Sequence, residues 1–454
     1  MFKTTKIFAL LTVVIMGFLF SCNPDDNKTS TTNGNLVKDT KDHDVINRWN
    51  TVMLDLDKTA AGFRPCPIAR VAGYIGFATY ETAVSGMPGY KSLAKNYSGY
   101  NVPAFDASKT INYPLAINAA TAYMYKQFFP NDVPSKILPT EEDLRSKYGK
   151  GVNQDVIDNS IAWGTAVAKA TYDWAKSDVS VHNSNVDATQ GGYQVLPGNG
   201  IYHTETNFPL VTTAAWFPKY GQGRVFAING ADRIIPPPIA YSEDPKSPYY
   251  GQAIEVYTLV KQGTFDDKWL GEFWSDDLLG LTFSPPARWF AVANQVYDID
   301  NSNLEKALFT NAKIGMALND VVVACWDNKY KYQIERPVAY IRKFIDPDFK
   351  SILGGDKGIT PPFPAYPSGH STMGGAAAEV LTADFGIEFP MYDRCHEGRT
   401  EFIGRPRFYP NFYLMAEENA YSRIPLGVHW RMDCKAGIDL GYVIGRKVNK
   451  LPFK

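Results

Sequence analysis

The sequence predicts an all-α fold built from helical bundles. Three observations point to it. Apolar residues recur at helical spacing in segment after segment from Asp44 onward. Strand-like alternation is scarce. The 454 residues are 45% hydrophobic, enough to bury a large core. A formal net charge of −1 sets nucleic acid aside as the main partner. Aromatic residues at 14%, with 30 prolines, describe a loop-rich globular chain rather than a disordered one.

The N-terminal text is of another kind. Lys3 and Lys6 precede an apolar run from Ile7 to Phe20, too short for a comfortable membrane span. Ser21-Cys22 follows, and this arrangement resembles a bacterial lipoprotein signal. Residues 1–21 are therefore expected to be removed and Cys22 to be lipidated, which places the protein in the cell envelope. An ordinary secretory signal is the alternative. Residues 22–44 are polar and are expected to form a flexible tether. One all-helical domain is expected over 45–454. No later segment reads as apolar enough to span a bilayer.

The helical pattern begins with Val45 to Ala60, through Val45, Trp49, Val52, Met53 and Leu56. Pro67 to Val84 follows a proline start, then come Tyr113 to Phe129 and Val156 to Ala175. From Ser180 to Pro248, Gly, Pro and Asn crowd the text, including Pro236-Pro237-Pro238. That stretch is too long for an ordinary connection, so it is functional or wraps the surface. Helical text resumes at Gln252 to Lys261, Phe265 to Asp276, Pro286 to Tyr297 and Asn303 to Trp326. Cys66, Cys325, Cys395 and Cys434 show neither CxxC nor Cys/His metal spacing, and leave three disulfide pairings open.

The chemistry centres on Tyr366-Pro367-Ser368-Gly369-His370-Ser371. Here a Pro-rich loop, Thr360 to Pro367, runs into a small-residue helix containing Met373 to Leu381. Unpaired N–H groups and the helix dipole make such a start an anion site. Ser368 adds a hydroxyl, Gly369 lets a ligand approach the backbone, and His370 can move a proton near neutral pH. Taken alone, this is equally a plain helix cap. Upstream, Lys329 and Arg336 are seven apart, so on a helix they share a face two turns apart. Pro337 then disfavours helix just beyond Arg336. The aromatic and apolar flanks Trp326, Tyr330, Tyr332, Ile334 and Val338 favour an anion site over a solvated face. Downstream, a helical pattern carries Arg423, and Pro425 and Gly427 interrupt it. His429 and Asp433, four apart, are expected to share a face of the next helix. The carboxylate would hold one ring nitrogen and leave the other as nucleophile or metal ligand.

Together, Lys329 and Arg336, then Ser368-Gly369-His370, then Arg423 and His429 resemble a three-part signature. It is shared by vanadium-dependent haloperoxidases and the type-2 phosphatidic acid phosphatase superfamily. The likeness runs through roughly Asp277 to Gly441, with the signature inside 326–433, and more faintly to Arg64-Pro65-Cys66-Pro67-Ile68-Ala69-Arg70. It implies helical bundles of the vanadium haloperoxidase and acid phosphatase type around one oxyanion pocket. Lys329, Arg336 and Arg423 would supply positive charge, and Ser368 and the Gly369 N–H neutral donors. His429 would be the apical vanadium ligand, or the nucleophile toward phosphorus. His370 would be the acid/base group.

Trp326 and Phe363 resemble the halide-side wall of the haloperoxidases, and the text from Phe363 to His370 resembles that of fungal chloroperoxidase. Asp277 resembles the carboxylate that orients Arg423, although Asp276 stands beside it. Algal bromoperoxidases have a second His where this chain has Phe363. The resemblance implies vanadate as cofactor, with hydrogen peroxide, halide and small organic acceptors as partners. The expectation is a vanadate-dependent haloperoxidase, monomeric, with iodide favoured and bromide possible. A soluble acid phosphatase with a phosphohistidine is one rival. A non-catalytic oxyanion-binding lipoprotein is the other, disfavoured because simple binding needs no His370.

Overall fold

A computed structural model describes residues 36–204, 214–355 and 358–454. The expected signal peptide, Cys22 and most of the expected tether lie outside the described residues. The described chain is a succession of helices. The first five are α1 (Asp44–Thr59), α2 (Cys66–Ala83), α3 (Tyr113–Phe128), α4 (Leu138–Gly149) and α5 (Gln154–Lys176). After an irregular stretch come α6 (Pro248–Gln262), α7 (Phe265–Phe273), α8 (Pro285–Asp300), α9 (Leu304–Tyr332), α10 (Pro337–Phe344) and α11 (Gly369–Phe385). A two-stranded antiparallel ribbon, β1 (Met391–Asp393) and β2 (Arg407–Tyr409), precedes α12 (Phe412–Ser422) and α13 (Arg431–Asn449).

Local chemistry explains the boundaries. The Asn112, Asn153, Asn303 and Asn411 side chains accept first-turn N–H groups of α3, α5, α9 and α12. Thr264 and Asp267 form a reciprocal capping box on α7. Asn301 and Gln333 end α8 and α9 in the left-handed region, with φ of 51° and 48°. The predicted helices match these elements within a few residues. The exceptions are α4, which the apolar pattern missed because its one buried residue is Leu144, and α10, which starts at the proline read as disfavouring helix.

Two backbone-close packings build the core. α2 is buried along its whole length and crosses α9 where a Cβ on Gly315 would lie 2.4 Å from the Ala72 carbonyl oxygen. α11 packs on α13 where a Cβ on Gly441 would lie 2.2 Å from the Thr372 oxygen. Larger residues would push each pair of helices apart. The second packing sets the site, because it brings the first turns of α11 and α13 together: Ser368 N–H donates to the Asp433 carbonyl at 2.9 Å. α9 has the length and hydropathy of a membrane span, but 89% of its most apolar window is buried in the protein. It is the central core helix.

Three expectations change. Packing extends ahead of Val45 into the expected tether, at least as far as Val37. Val37 is fully buried and Leu304 N–H donates to the Thr40 carbonyl at 3.1 Å, so one apolar residue in a polar stretch docks residues 36–44 on α9. α7 stops at Phe273, short of Asp276, because Asp276 takes a φ of 34° and turns the chain. Cys66, Cys325, Cys395 and Cys434 are all free. The irregular stretch after α5 proves to be a brace. The Asp320 carboxylate on α9 accepts from the N–H groups of Phe226 and Ala227, both at 2.7 Å. Tyr366 donates to the Pro236 carbonyl at 2.5 Å, fastening the Pro-rich loop from behind.

Candidate active site

Lys329 lies on the last turn of α9, fully buried. Its ammonium donates to the carbonyls of Pro364, Ala365 and Pro367 at 2.8, 2.9 and 2.6 Å. All three of its protons are therefore spent on the loop that delivers Ser368. Burial pushes its pKa down to about 8. It also lies against the rings of Trp326 and Phe363, which pack tilted with centroids 4.9 Å apart.

Arg336 does not share a helical face with Lys329. Gln333 breaks the helix in the left-handed region, the chain reverses, and Arg336 becomes the N-cap of α10. Pro337 starts that helix at its first position rather than preventing one, because its missing N–H has no role there. The buried guanidinium donates through Nε to the Phe363 carbonyl at 3.0 Å. Through Nη1 it donates to the Val428 carbonyl at 2.8 Å and to His429 Nε2 at 3.0 Å. Burial lowers its pKa to about 10, which still leaves it charged at neutral pH.

His429 and Asp433 meet, but not as two residues on one helix. His429 stands two residues before α13, Trp430 is the N-cap, and Asp433 is at the third helical position. The Asp433 carboxylate turns back to accept from Trp430 N–H at 3.0 Å and from His429 Nδ1 at 2.9 Å. This is an N-terminal capping arrangement extended by one side chain. Desolvation and then Arg336 hold the His429 pKa well below the ordinary range, so the ring is neutral.

Arg423, at the end of α12, is fully buried. Its Nη1 donates to the Trp274 carbonyl at 2.9 Å and its Nη2 to Asp277 Oδ2. Asp277, not Asp276, is therefore the carboxylate that meets Arg423. The same Asp277 oxygen lies 4.0 Å from His370 Nε2. His370 is on the first turn of α11, held neutral by burial and then by Arg423, Arg336 and Lys329. Ser368 is the N-cap of that helix, accepting from Ser371 N–H at 3.4 Å and keeping its own hydroxyl proton to donate. The N–H groups of Gly369 and His370 lie in the first turn, where the helix offers no acceptor.

The fold brings the seven signature residues together from α9, the start of α10, the start of α11 and the link from α12 to α13, and of these Gly369, His370 and His429 line a buried pocket. Its inner cavity, about 10 Å³, is lined by Asp277, Trp326, Phe363, Gly369, His370 and His429 among others. Pro65, Asp277, Pro285, Pro361 and Phe363 also line an outer cavity of about 450 Å³.

The donor set fits an oxyanion. Arg336 Nη2, Arg423 Nε, His370 Nε2 and Trp326 Nε1 are buried with no hydrogen-bond partner. Buried polar atoms are normally paired, and three of these four are fixed N–H donors. Among the described residues no group of three or more His, Cys, Asp or Glu could hold a bare metal cation.

One group escaped the sequence reading. Arg288 on α8 is fully buried between the rings of Phe273 and Trp274, and pairs with Asp393 at 2.7 Å and Asp276 at 3.3 Å. Its signal was a lone Arg in the apolar stretch Pro285 to Ala293.

Residues 309–452 match the family model of the VCPO second helical-bundle domain. The chain is 23% identical over 487 aligned positions to the vanadium chloroperoxidase of Curvularia inaequalis, covering 86% of this chain and 79% of that one. The crystal structure of the first bacterial vanadium-dependent iodoperoxidase superposes with a TM-score of 0.75 and 27% identity, over 89% of this chain and 94% of that one. The chain is similar to vanadium-dependent haloperoxidases along most of its length, and its residues 309–452 to their second helical-bundle domain. A bacterial vanadium-dependent chloroperoxidase in its holo form shares the fold of this chain, with a TM-score of 0.68 at 15% identity over 91% of this chain and 99% of that one.

Proposed function

We propose that this protein binds vanadate at His429 and uses hydrogen peroxide to oxidise halide, iodide foremost. One observation supports this most directly. His429 Nε2, unprotonated and facing Arg336, lies in a pocket with three buried N–H donors that have no partner, Arg336 Nη2, Arg423 Nε and Trp326 Nε1. His429 would hold the vanadium. Arg336, Arg423, the Ser368 hydroxyl and the Gly369 N–H would hold the oxygens. Bound vanadate supplies Lewis-acid activation of peroxide toward a halide.

The protein's own residues do the rest. Asp433 orients the His429 ring, and Asp277 orients Arg423. Lys329 fixes the loop from Pro364 to Pro367, and so the position of Ser368, while adding positive charge. His370, kept neutral, takes the proton of incoming hydrogen peroxide at Nε2. The Trp326 and Phe363 rings wall off water on the halide side.

Iodide is the most easily oxidised halide, and the iodoperoxidase likeness supports it over chloride. The deciding experiment is steady-state oxidation of iodide, bromide and chloride by the apo-protein with and without added vanadate, beside phosphate-ester hydrolysis. Vanadate-dependent iodide oxidation is expected, with bromide weak and chloride absent. Chloride turnover comparable to iodide would overturn the halide choice. Ester hydrolysis without halide oxidation would make the protein a phosphatase.

The N-terminal text supports export and lipidation at Cys22. Membrane fractionation that is identical for wild type and Cys22→Ser would remove that reading.

A further inference from the structure

We infer that the outer cavity is a binding site for an aromatic acceptor carrying a carboxylate, with Arg64 as its anchor. This rests on the haloperoxidase reading, which it extends to the second substrate. The cavity, about 450 Å³, is of ordinary ligand-pocket size. Its walls are largely apolar and flat-faced: Trp216, Phe363, Pro361, Pro362, Leu278 and Leu279 contribute. It abuts the inner pocket through Pro361 and Phe363, so a ring seated there lies beside the wall behind which halide would be oxidised.

Arg64 is the cation of this cavity. Its Nη2 donates to the Asp276 carbonyl at 3.0 Å, while Nη1 has no partner. The nearby carboxylates are engaged elsewhere. Asp276 pairs with Arg288 and Asp277 with Arg423, and Asp57 accepts from the N–H and hydroxyl of Ser284. Among the described residues, Arg64 forms no salt bridge. The charge of Arg64 acts on Asp57, but its unpartnered Nη1 in an apolar wall suits an anion on an apolar body.

The chemistry balances. Iodide gives two electrons to hydrogen peroxide, the ring carbon bonds to iodine, and the ring proton is released. The net change is ArH + I⁻ + H2O2 + H⁺ → ArI + 2 H2O.

The test separates this site from the reaction. Binding of 4-hydroxyphenylacetate and of its uncharged analogue 4-ethylphenol is measured by calorimetry on protein free of vanadate, peroxide and halide. The acid is expected to bind at least tenfold more tightly than the neutral phenol, and Arg64→Gln is expected to erase the difference. Leu279→Trp, on the exposed rim, narrows the cavity mouth without replacing a buried group, and should weaken binding of both ligands. In turnover with the two phenols in competition, wild type should iodinate the acid preferentially. Equal binding of the two phenols, or acid binding that survives both substitutions, overturns the site. Equal consumption of the two in turnover overturns its role as acceptor site. A shift in apparent iodide affinity in Arg64→Gln with acid binding unchanged would make Arg64 a halide guide instead. A wild type that binds the acid but never oxidises iodide would sink the haloperoxidase reading and leave the binding site standing.

Discussion

Arg336 Nη1 lies 3.0 Å from His429 Nε2, and this contact fixes the state of the imidazole. A guanidinium can only donate, so Nε2 carries the lone pair and the ring proton sits on Nδ1, donated to Asp433. The arginine thus holds Nε2, the nitrogen proposed to bind vanadium, in its unprotonated form.

Replacing Arg336 by Met should weaken vanadate binding by roughly 10- to 100-fold, the scale of one charge-assisted hydrogen bond of about 1.5–3 kcal/mol. Equilibrium dialysis with vanadium quantification checks this. Retention equal to wild type would show that Arg336 serves only the backbone carbonyls of Phe363 and Val428.

His429→Ala should retain no vanadium after desalting, because it removes the one ring nitrogen that Asp433 and Arg336 hold in place; His370, the other neutral imidazole lining the cavity, serves proton transfer in this reading. Excess phosphate should slow reconstitution of the wild type, since phosphate competes for the same donors. Stoichiometric vanadium in His429→Ala, or reconstitution indifferent to phosphate, would contradict the oxyanion site.

His370 gives a stability signature. Its folded pKa lies well below 6.5, so below that pH the unfolded chain takes up a proton that the folded one refuses. The unfolded state then binds more protons, and stability falls as pH falls. His370→Asn lacks this contribution. The stability of wild type relative to the variant should therefore drop as pH is lowered below 6.5, approaching about 1.4 kcal/mol per pH unit. Urea denaturation of both proteins at pH 7.5, 6.5 and 5.5 measures it. A difference that stays constant with pH would mean that His370 takes up its proton in the folded protein as readily as in the unfolded chain.

Arg288→Leu should destabilise the fold by about 3–5 kcal/mol, because it strands the fully buried Asp276 and Asp393 without their cation. Chemical denaturation gives the value. The loss should also reach the site, since Asp276 and Asp277 lie on the turn that supplies Arg423 with its carbonyl and carboxylate partners. An unchanged midpoint would show that the two carboxylates are stable in neutral form.

The sequence by itself determined the helical architecture and the roster of the site. Apolar periodicity is a local property of the chain, and it located helices such as α2 and α9 within a few residues. The charged and small residues of the signature were legible through their resemblance to the signature of haloperoxidases and type-2 phosphatidic acid phosphatases, which needs no coordinates. How they meet was not legible. Spacing alone put Lys329 and Arg336 on one helical face, yet a left-handed Gln333 reverses the chain between them. Spacing also put His429 and Asp433 on one helix, yet they meet across its N-terminus. Asp276 and Asp277 are neighbours with opposite assignments, Arg288 for one and Arg423 for the other, set by a single backbone turn at Asp276. Only the tertiary structure decided these pairings. Burying a charge is costly unless a partner faces it, and that partner comes from whichever segment packs there, often more than a hundred residues away.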